Sequence, residues 1–221
     1  MQPIRCKYYS PHSFSQHKRT LFTDSHFSLL HSNVRSLRCN LDNFQSHLLD
    51  EIQINFSAIG VTETKITDSN IPLDFDPSIP NYNFEFVPTP LSAGGVGMYL
   101  NSSLKYTVIE RTSDEAFQAL WVTNHFANKS DITCGVIYRQ HNSPEKFLSY
   151  FEETVESLST SGKPNYIMTD ANINLLSYDL MNRVNMHKDS CTLSKAFVSL
   201  QLLTSPQEYT IIRRHLLTIF L

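Results

Sequence analysis

Five side chains stand where strand-like runs give out, and their chemistry is of one kind. Asn33 closes the run Phe27–Asn33, and Glu63 follows the apolar run Phe56–Thr62. Tyr138, beside Arg139, ends a later run, and Asp170 with Asn172 ends the last. Carboxylates bind hard divalent cations through oxygen. Amides and a phenol hydrogen-bond phosphate oxygens. Together these residue types suit metal-assisted hydrolysis of a phosphodiester. Loops at strand ends hold functional groups on a rigid scaffold, so four such ends converging on one cleft would make a site. Taken singly, each has a plainer reading. A Glu after a strand is ordinarily solvated, Asp-x-Asn is turn chemistry, and Tyr138 is a packed aromatic with its hydroxyl at the rim.

The elements that must position these residues follow from hydrophobic period. Phe27, Leu29 and His31 share one face of a short strand. Leu41, Phe44, Leu48 and Ile52 recur at helical spacing and predict an amphipathic helix over 41–52. The stretch 67–92 carries Pro72, Pro77, Pro80, Pro88 and Pro90 and predicts a long irregular loop. Gly94-Gly-Val-Gly-Met-Tyr-Leu100 reads as a tight turn leading into a strand, since it lacks the Lys-Ser/Thr of a phosphate-binding P-loop. Strands are expected at Tyr106–Glu110, Gln118–Thr123, Ile132–Tyr138 and Tyr166–Met168. Helices are expected at 144–159, capped by Ser143-Pro144, and around 190–203. Consecutive strands between helices predict mixed sheets rather than a doubly wound parallel one. Residues 1–25 are polar and read as a leader or linker, with the domain spanning 26–221.

Composition narrows the function classes. The chain has 221 residues, 41% of them hydrophobic, with 14 Phe and 10 Tyr, which is enough to bury a core. A net charge of −3 argues against a simple polycationic coat for nucleic acid. Phosphate contacts must then come from a local patch or a bound ion. Cys6, Cys39, Cys134 and Cys191 lie far apart with no C-x-x-C spacing, which argues for reduced thiols and against zinc. No signal-peptide core or membrane span is read, so a nuclear or cytoplasmic, non-secreted chain is expected.

The ordered set resembles the endonuclease/exonuclease/phosphatase superfamily, and more narrowly the endonuclease domain of LINE-type (non-LTR) retrotransposons. The matching stretches are Leu30-His-Ser-Asn33-Val-Arg-Ser-Leu37, Ile59-Gly-Val-Thr-Glu63-Thr-Lys65, Ala93-Gly-Gly-Val-Gly-Met-Tyr99, Gly135-Val-Ile-Tyr-Arg139 and Ile167-Met-Thr-Asp170-Ala-Asn172. The resemblance covers about 26–210. It implies a DNase I-like, four-layer α/β/β/α sandwich and nicking of duplex DNA, with Mg²⁺ as cofactor and Mn²⁺ as the alternative. No small-molecule cofactor is implied. By the same resemblance Glu63 is the main metal ligand, and Asn33 helps hold metal and phosphate. Asp170 orients or deprotonates the attacking water. Asn172 fixes phosphate or water, and Tyr138 contacts the phosphate.

Two departures from the family pattern matter. The usual Gly-Asp-Phe-Asn is here Thr169-Asp170-Ala171-Asn172, which removes a permissive glycine and an aromatic anchor. The family's terminal Asp-His pair is replaced by Thr218 in His215-Leu-Leu-Thr-Ile-Phe-Leu221, and His215 sits three residues too early to stand in for it. The expectation is therefore a domain truncated or degenerate at its C-terminal end, lacking its terminal strand or strands. Two rival functions follow: a superfamily phosphatase or exonuclease, and a catalytically dead remnant or binding module.

Overall fold

A computed structural model of the chain describes residues 27–141, 144–170, 172 and 218–220. The expected leader and the expected helix around 190–203 lie outside these residues. The strands are β1 (Leu29–Asn33), β2 (Ala58–Thr62), β3 (Tyr82–Val87), β4 (Val96–Asn101), β5 (Lys105–Ser113), β6 (Phe117–His125), β7 (Ile132–Arg139), β8 (Asn165–Asp170) and β9 (Thr218–Phe220). The helices are α1 (Leu37–Phe44), continued by a π-turn (Gln45–Leu49) and a last turn (Asp50–Ile52), and α2 (Pro144–Thr160).

The strands form a five-stranded sheet in the order β3-β4-β2-β1-β9 and a four-stranded sheet in the order β5-β6-β7-β8. Each contains one parallel pair joined through a helix: β1-α1-β2 in the first and β7-α2-β8 in the second. All other neighbours are antiparallel. A parallel pair needs a crossover, and the crossover helix must cover a sheet face.

Alternation along the strands sorts the core into layers. Leu29, Ala58, Met98, Leu120, Cys134, Val136 and Met168 pack together between the sheets. Leu30, Ile59, Val61 and Tyr99 face outward and pack against Leu37, Leu41, Phe44, Leu48 and Ile52 of the first helical segment. Ala119, Trp121 and Ile137 face outward on the other side, against Phe147 and Phe151 of α2. The result is the α/β/β/α sandwich, with one hydrophobic layer between sheets and one under each helix. No described helix is long and apolar enough to cross a membrane.

Two expectations are corrected. The stretch 67–92 is not irregular throughout, because Tyr82–Val87 forms β3 along the whole of β4. Its signal was the period-two run Tyr82, Phe84, Phe86, masked by the prolines on either side; Phe84 stacks on Tyr99 at 4.4 Å. A terminal strand is also present: Thr218–Phe220 pairs antiparallel with Leu29–His31, so that edge of β1 is covered for three residues.

Candidate active site

Both crossover units are parallel, so each brings the C-terminal ends of its two strands to one edge. Ligand sites in α/β sheets favour that edge. Asn33 is the last residue of β1, Glu63 follows β2, Tyr138 and Arg139 end β7, and Asp170 ends β8. In β7 and β8, Tyr138 lies opposite Asp170. Since Met168 and Val136 face the space between the sheets, so do Asp170 and Tyr138, two residues further along each strand.

Asn33 joins the two sheets. Its Nδ2 donates to Glu63 Oε1 at 2.8 Å and to Asp170 Oδ2 at 2.7 Å. Its Oδ1 accepts the Arg35 backbone N–H at 3.0 Å. One amide thus spans a carboxylate from each sheet and holds their oxygens within the reach of two hydrogen bonds. Asn33, Glu63 and Asp170 are all half-buried, at the mouth of the seam.

The loops beneath them are cross-braced. Val34 N–H donates to Thr62 O, Ser36 N–H to Glu63 O and Leu37 N–H to Thr64 O, at 2.8–3.0 Å. Thr64 and Lys65 N–H groups donate to Gly95 and Gly94 carbonyls at 3.2 and 2.9 Å. This ladder holds Arg35, Glu63 and Lys65 in the left-handed region at φ 51°, 55° and 56°. Each such non-glycine residue costs about 1–2 kcal/mol, and strain of this kind persists only where surrounding structure over-determines it. The exposed cations Arg35 and Lys65 flank Glu63 without an ion pair to any described residue.

The glycine turn locks this edge to the second sheet. The buried Gln118 accepts the Gly95 N–H at 3.0 Å, and Gln140 Nε2 donates to Ala93 O at 2.7 Å. Gly94 has φ +102°, and a Cβ there would lie 2.5 Å from Gln118 Oε1 and 2.6 Å from Gln140 Nε2. Gly94→Ala is therefore expected to lower stability by about 1–3 kcal/mol, measured as a shifted urea midpoint.

The electrostatics follow from burial and crowding. Burial, then the Glu63 charge, raises the Asp170 carboxyl above its ordinary value; the Asn33 and Asn172 hydrogen bonds and His141 pull the other way. The Tyr138 hydroxyl is pushed up to about 12 by burial first and by the Glu63 and Asp170 charges, against a hydrogen bond with Asn172. It is therefore a neutral donor at neutral pH. His31, buried on β1 two residues below Asn33 with Thr62 Oγ1 at 3.4 Å, is lowered to about 4 by burial and is neutral there too.

All five residues expected from the sequence thus stand at one edge. Asn172 reaches it through its backbone N–H, 3.4 Å from Asp170 Oδ1, and through its Tyr138 contact. Sequence reasoning missed the glutamine pair; only the end of β7 marked the place of Gln140. Among the described residues, no group of three His, Cys, Asp or Glu side chains converges as a metal cage. The oxygens that face this edge are those of the Glu63 and Asp170 carboxylates, with the Asn33 amide turning its Nδ2 towards them.

No family model matches the sequence, and no curated protein matches it. The chain is similar in structure to endonuclease/exonuclease/phosphatase proteins. They include ANGEL2, a 2′,3′-cyclic phosphatase, at 16% identity and TM-score 0.45, with 66% of this chain and 52% of that one covered. The Xenopus laevis APE2 catalytic domain is similar at 15% identity and TM-score 0.49, with 81% and 68% covered. The endonuclease domain of TRAS1, a telomere-specific non-LTR retrotransposon, is similar at 10% identity and TM-score 0.46, with 80% and 71% covered. The chain spans about half the length of the ANGEL2 chain it matches.

Proposed function

We propose that this chain is a Mg²⁺-dependent phosphodiesterase that nicks duplex DNA, the target-site endonuclease of a retrotransposon. One observation carries the reading: the Asn33 amide draws Glu63 and Asp170, one from each sheet, onto one edge of the sandwich. The residues fit the ion. Mg²⁺ takes hard oxygen donors and often only one or two carboxylates, keeping several waters. Glu63 would hold it, with Asn33 orienting the Glu63 carboxylate; Mn²⁺ is the alternative. When bound, the ion neutralises charge on the phosphate and the departing oxygen.

The remaining work falls to the chain's own groups. Asp170, its pKa raised, accepts a hydrogen bond from the attacking water and takes its proton. Asn172 holds Asp170 through its N–H. The neutral Tyr138 hydroxyl donates towards a phosphate oxygen. Arg35 and Lys65 supply the local positive charge that a chain of net charge −3 otherwise lacks.

A second reading has its own support. Thr218 replaces the expected Asp-His pair, and β9 sets Thr218 opposite His31, two residues from Asn33. This favours a remnant that keeps the fold and binds nucleic acid without cutting it, because losing one member of a catalytic unit costs orders of magnitude in rate. Purified chain with supercoiled plasmid separates the two. Open circles with Mg²⁺, none with EDTA, and none from Glu63→Ala support the phosphodiesterase. A folded wild-type chain that never nicks in Mg²⁺ or Mn²⁺ sinks it. Preference for small phosphorylated substrates over duplex DNA would favour a phosphatase or exonuclease.

A further inference from the structure

Arg139 ends β7, close enough to Asp170 for the two charges to act on each other. Its side chain is buried, 6% exposed. A buried guanidinium is costly unless its donors are matched. One donor, Nη2, meets the backbone carbonyl of Asn172 at 2.6 Å. In return, Asn172 Nδ2 donates to the backbone carbonyl of Arg139 at 2.7 Å. The two residues therefore grip each other's main chain through their side chains.

The far side of Arg139 is fixed as well. Its Cζ lies 6.0 Å from the centroid of the Phe147 ring on α2. Phe147 is itself 1% exposed and stacks on Phe151 at 5.6 Å. A rigid path thus runs from α2 through Phe147 and Arg139 to Asn172.

Asn172 needs such a grip. It sits in the left-handed region at φ 48°, one residue beyond the residue that follows the strand end. Its N–H faces Asp170 Oδ1 at 3.4 Å, and its side chain lowers the Tyr138 hydroxyl against the upward push of burial. The flanking positions 169 and 171 are Thr and Ala.

We propose that Arg139 is a positioning residue: its clamp on Asn172 sets the turn that aims Asp170 and Tyr138 into the site. The effect on catalysis rests on the phosphodiesterase reading; the clamp itself does not. Arg139→Lys keeps a charge but loses the guanidinium fork, and Arg139→Met keeps apolar length over Phe147.

The test is amide NMR and kinetics on the full chain. The side-chain amide pair of Asn172, assigned by its loss in Asn172→Ala, should shift in both Arg139 variants and exchange at least about tenfold faster. The Trp121 indole signal, under α2, should stay in place. In nicking, kcat should fall about 10–100-fold, as when a residue supporting a site's ligands is lost, with KM little changed. Arg139→Lys added to Asn172→Ala should cost little more than Asn172→Ala alone. An unmoved Asn172 amide pair in a folded Arg139→Lys overturns the clamp. So does a double variant whose loss equals the product of the single losses. A wild-type chain that does not nick removes the phosphodiesterase reading, while the amide signals still decide the clamp.

Discussion

Asp170→Asn is expected to lower nicking about 10²–10⁴-fold, the contribution of a positioned general base, while making the metal-free protein more stable at neutral pH. The two effects have one cause. Burial and the Glu63 charge raise the folded-state Asp170 pKa above its ordinary value. The fold therefore favours the protonated carboxyl. That contribution to stability is fully present below the ordinary carboxylate value, about 3.9. It is lost as pH rises through the raised folded value. Above that raised value the wild-type protein holds the charged form that burial and the neighbouring Glu63 disfavour. The substituted amide keeps an oxygen for the Asn33 Nδ2 and carries no charge. Thermal melts in EDTA should place Asp170→Asn above wild type at pH 7, by about 2–4 °C for each kcal/mol gained in a domain of this size. The gap should close near pH 4. A variant that melts below wild type at pH 7 contradicts the electrostatic account, whatever its activity. Such a trade of stability for function is common where charges are crowded for catalysis.

Gly135→Ala is the second large effect, and it acts on stability alone. Gly135 lies opposite Trp121 in the β6–β7 ladder. A Cβ there would come within 2.3–2.5 Å of three atoms of the indole ring. The ring has little room to yield. Its Nε1 donates to the Tyr150 hydroxyl at 2.8 Å, and Tyr150 in turn donates to Glu110 at 2.7 Å and stacks on Phe117 at 4.3 Å. A flat, buried ring anchored through its Nε1 meets the methyl group directly, so the cost should lie at the top of the roughly 1–3 kcal/mol range for overpacking. Urea unfolding followed by fluorescence would read it cleanly, because Trp121 is the only tryptophan. An unchanged midpoint would mean the indole can move aside, and would weaken the picture of a fixed outer layer under α2.

Much of this molecule was legible in its residues because local chemistry and period carry far. The helical spacing of Leu41, Phe44, Leu48 and Ile52 anticipated the first helix, although the helical segment begins four residues earlier at Leu37, where Ser36 caps it by accepting the Cys39 N–H at 3.4 Å. The apolar runs at 56–62 and 132–138 gave β2 and β7 within a residue or two. Prolines hid β3, whose alternating aromatics were present but short of a buried run. A strand of mixed exposure earns its place from its partner rather than from its own period, and β3 pairs with β4 over six residues. The three-residue β9 carries too little local signal to be seen without β1 beside it.

The residue types of the site, and their places at strand ends, belong to the sequence. It determined that Asn33, Glu63, Tyr138, Asp170 and Asn172 each follow or end a strand, because polar residue types interrupt the apolar runs there. Which of them meet was decided only in three dimensions. Asn33 and Asp170 are 137 residues apart along the chain and 2.7 Å apart at their polar atoms. That contact exists because two parallel crossover units stack face to face with their C-terminal ends on one side. The Arg139–Asn172 clamp and the left-handed turn at Glu63 were likewise invisible in the sequence. Both rest on hydrogen bonds between segments that no local pattern relates.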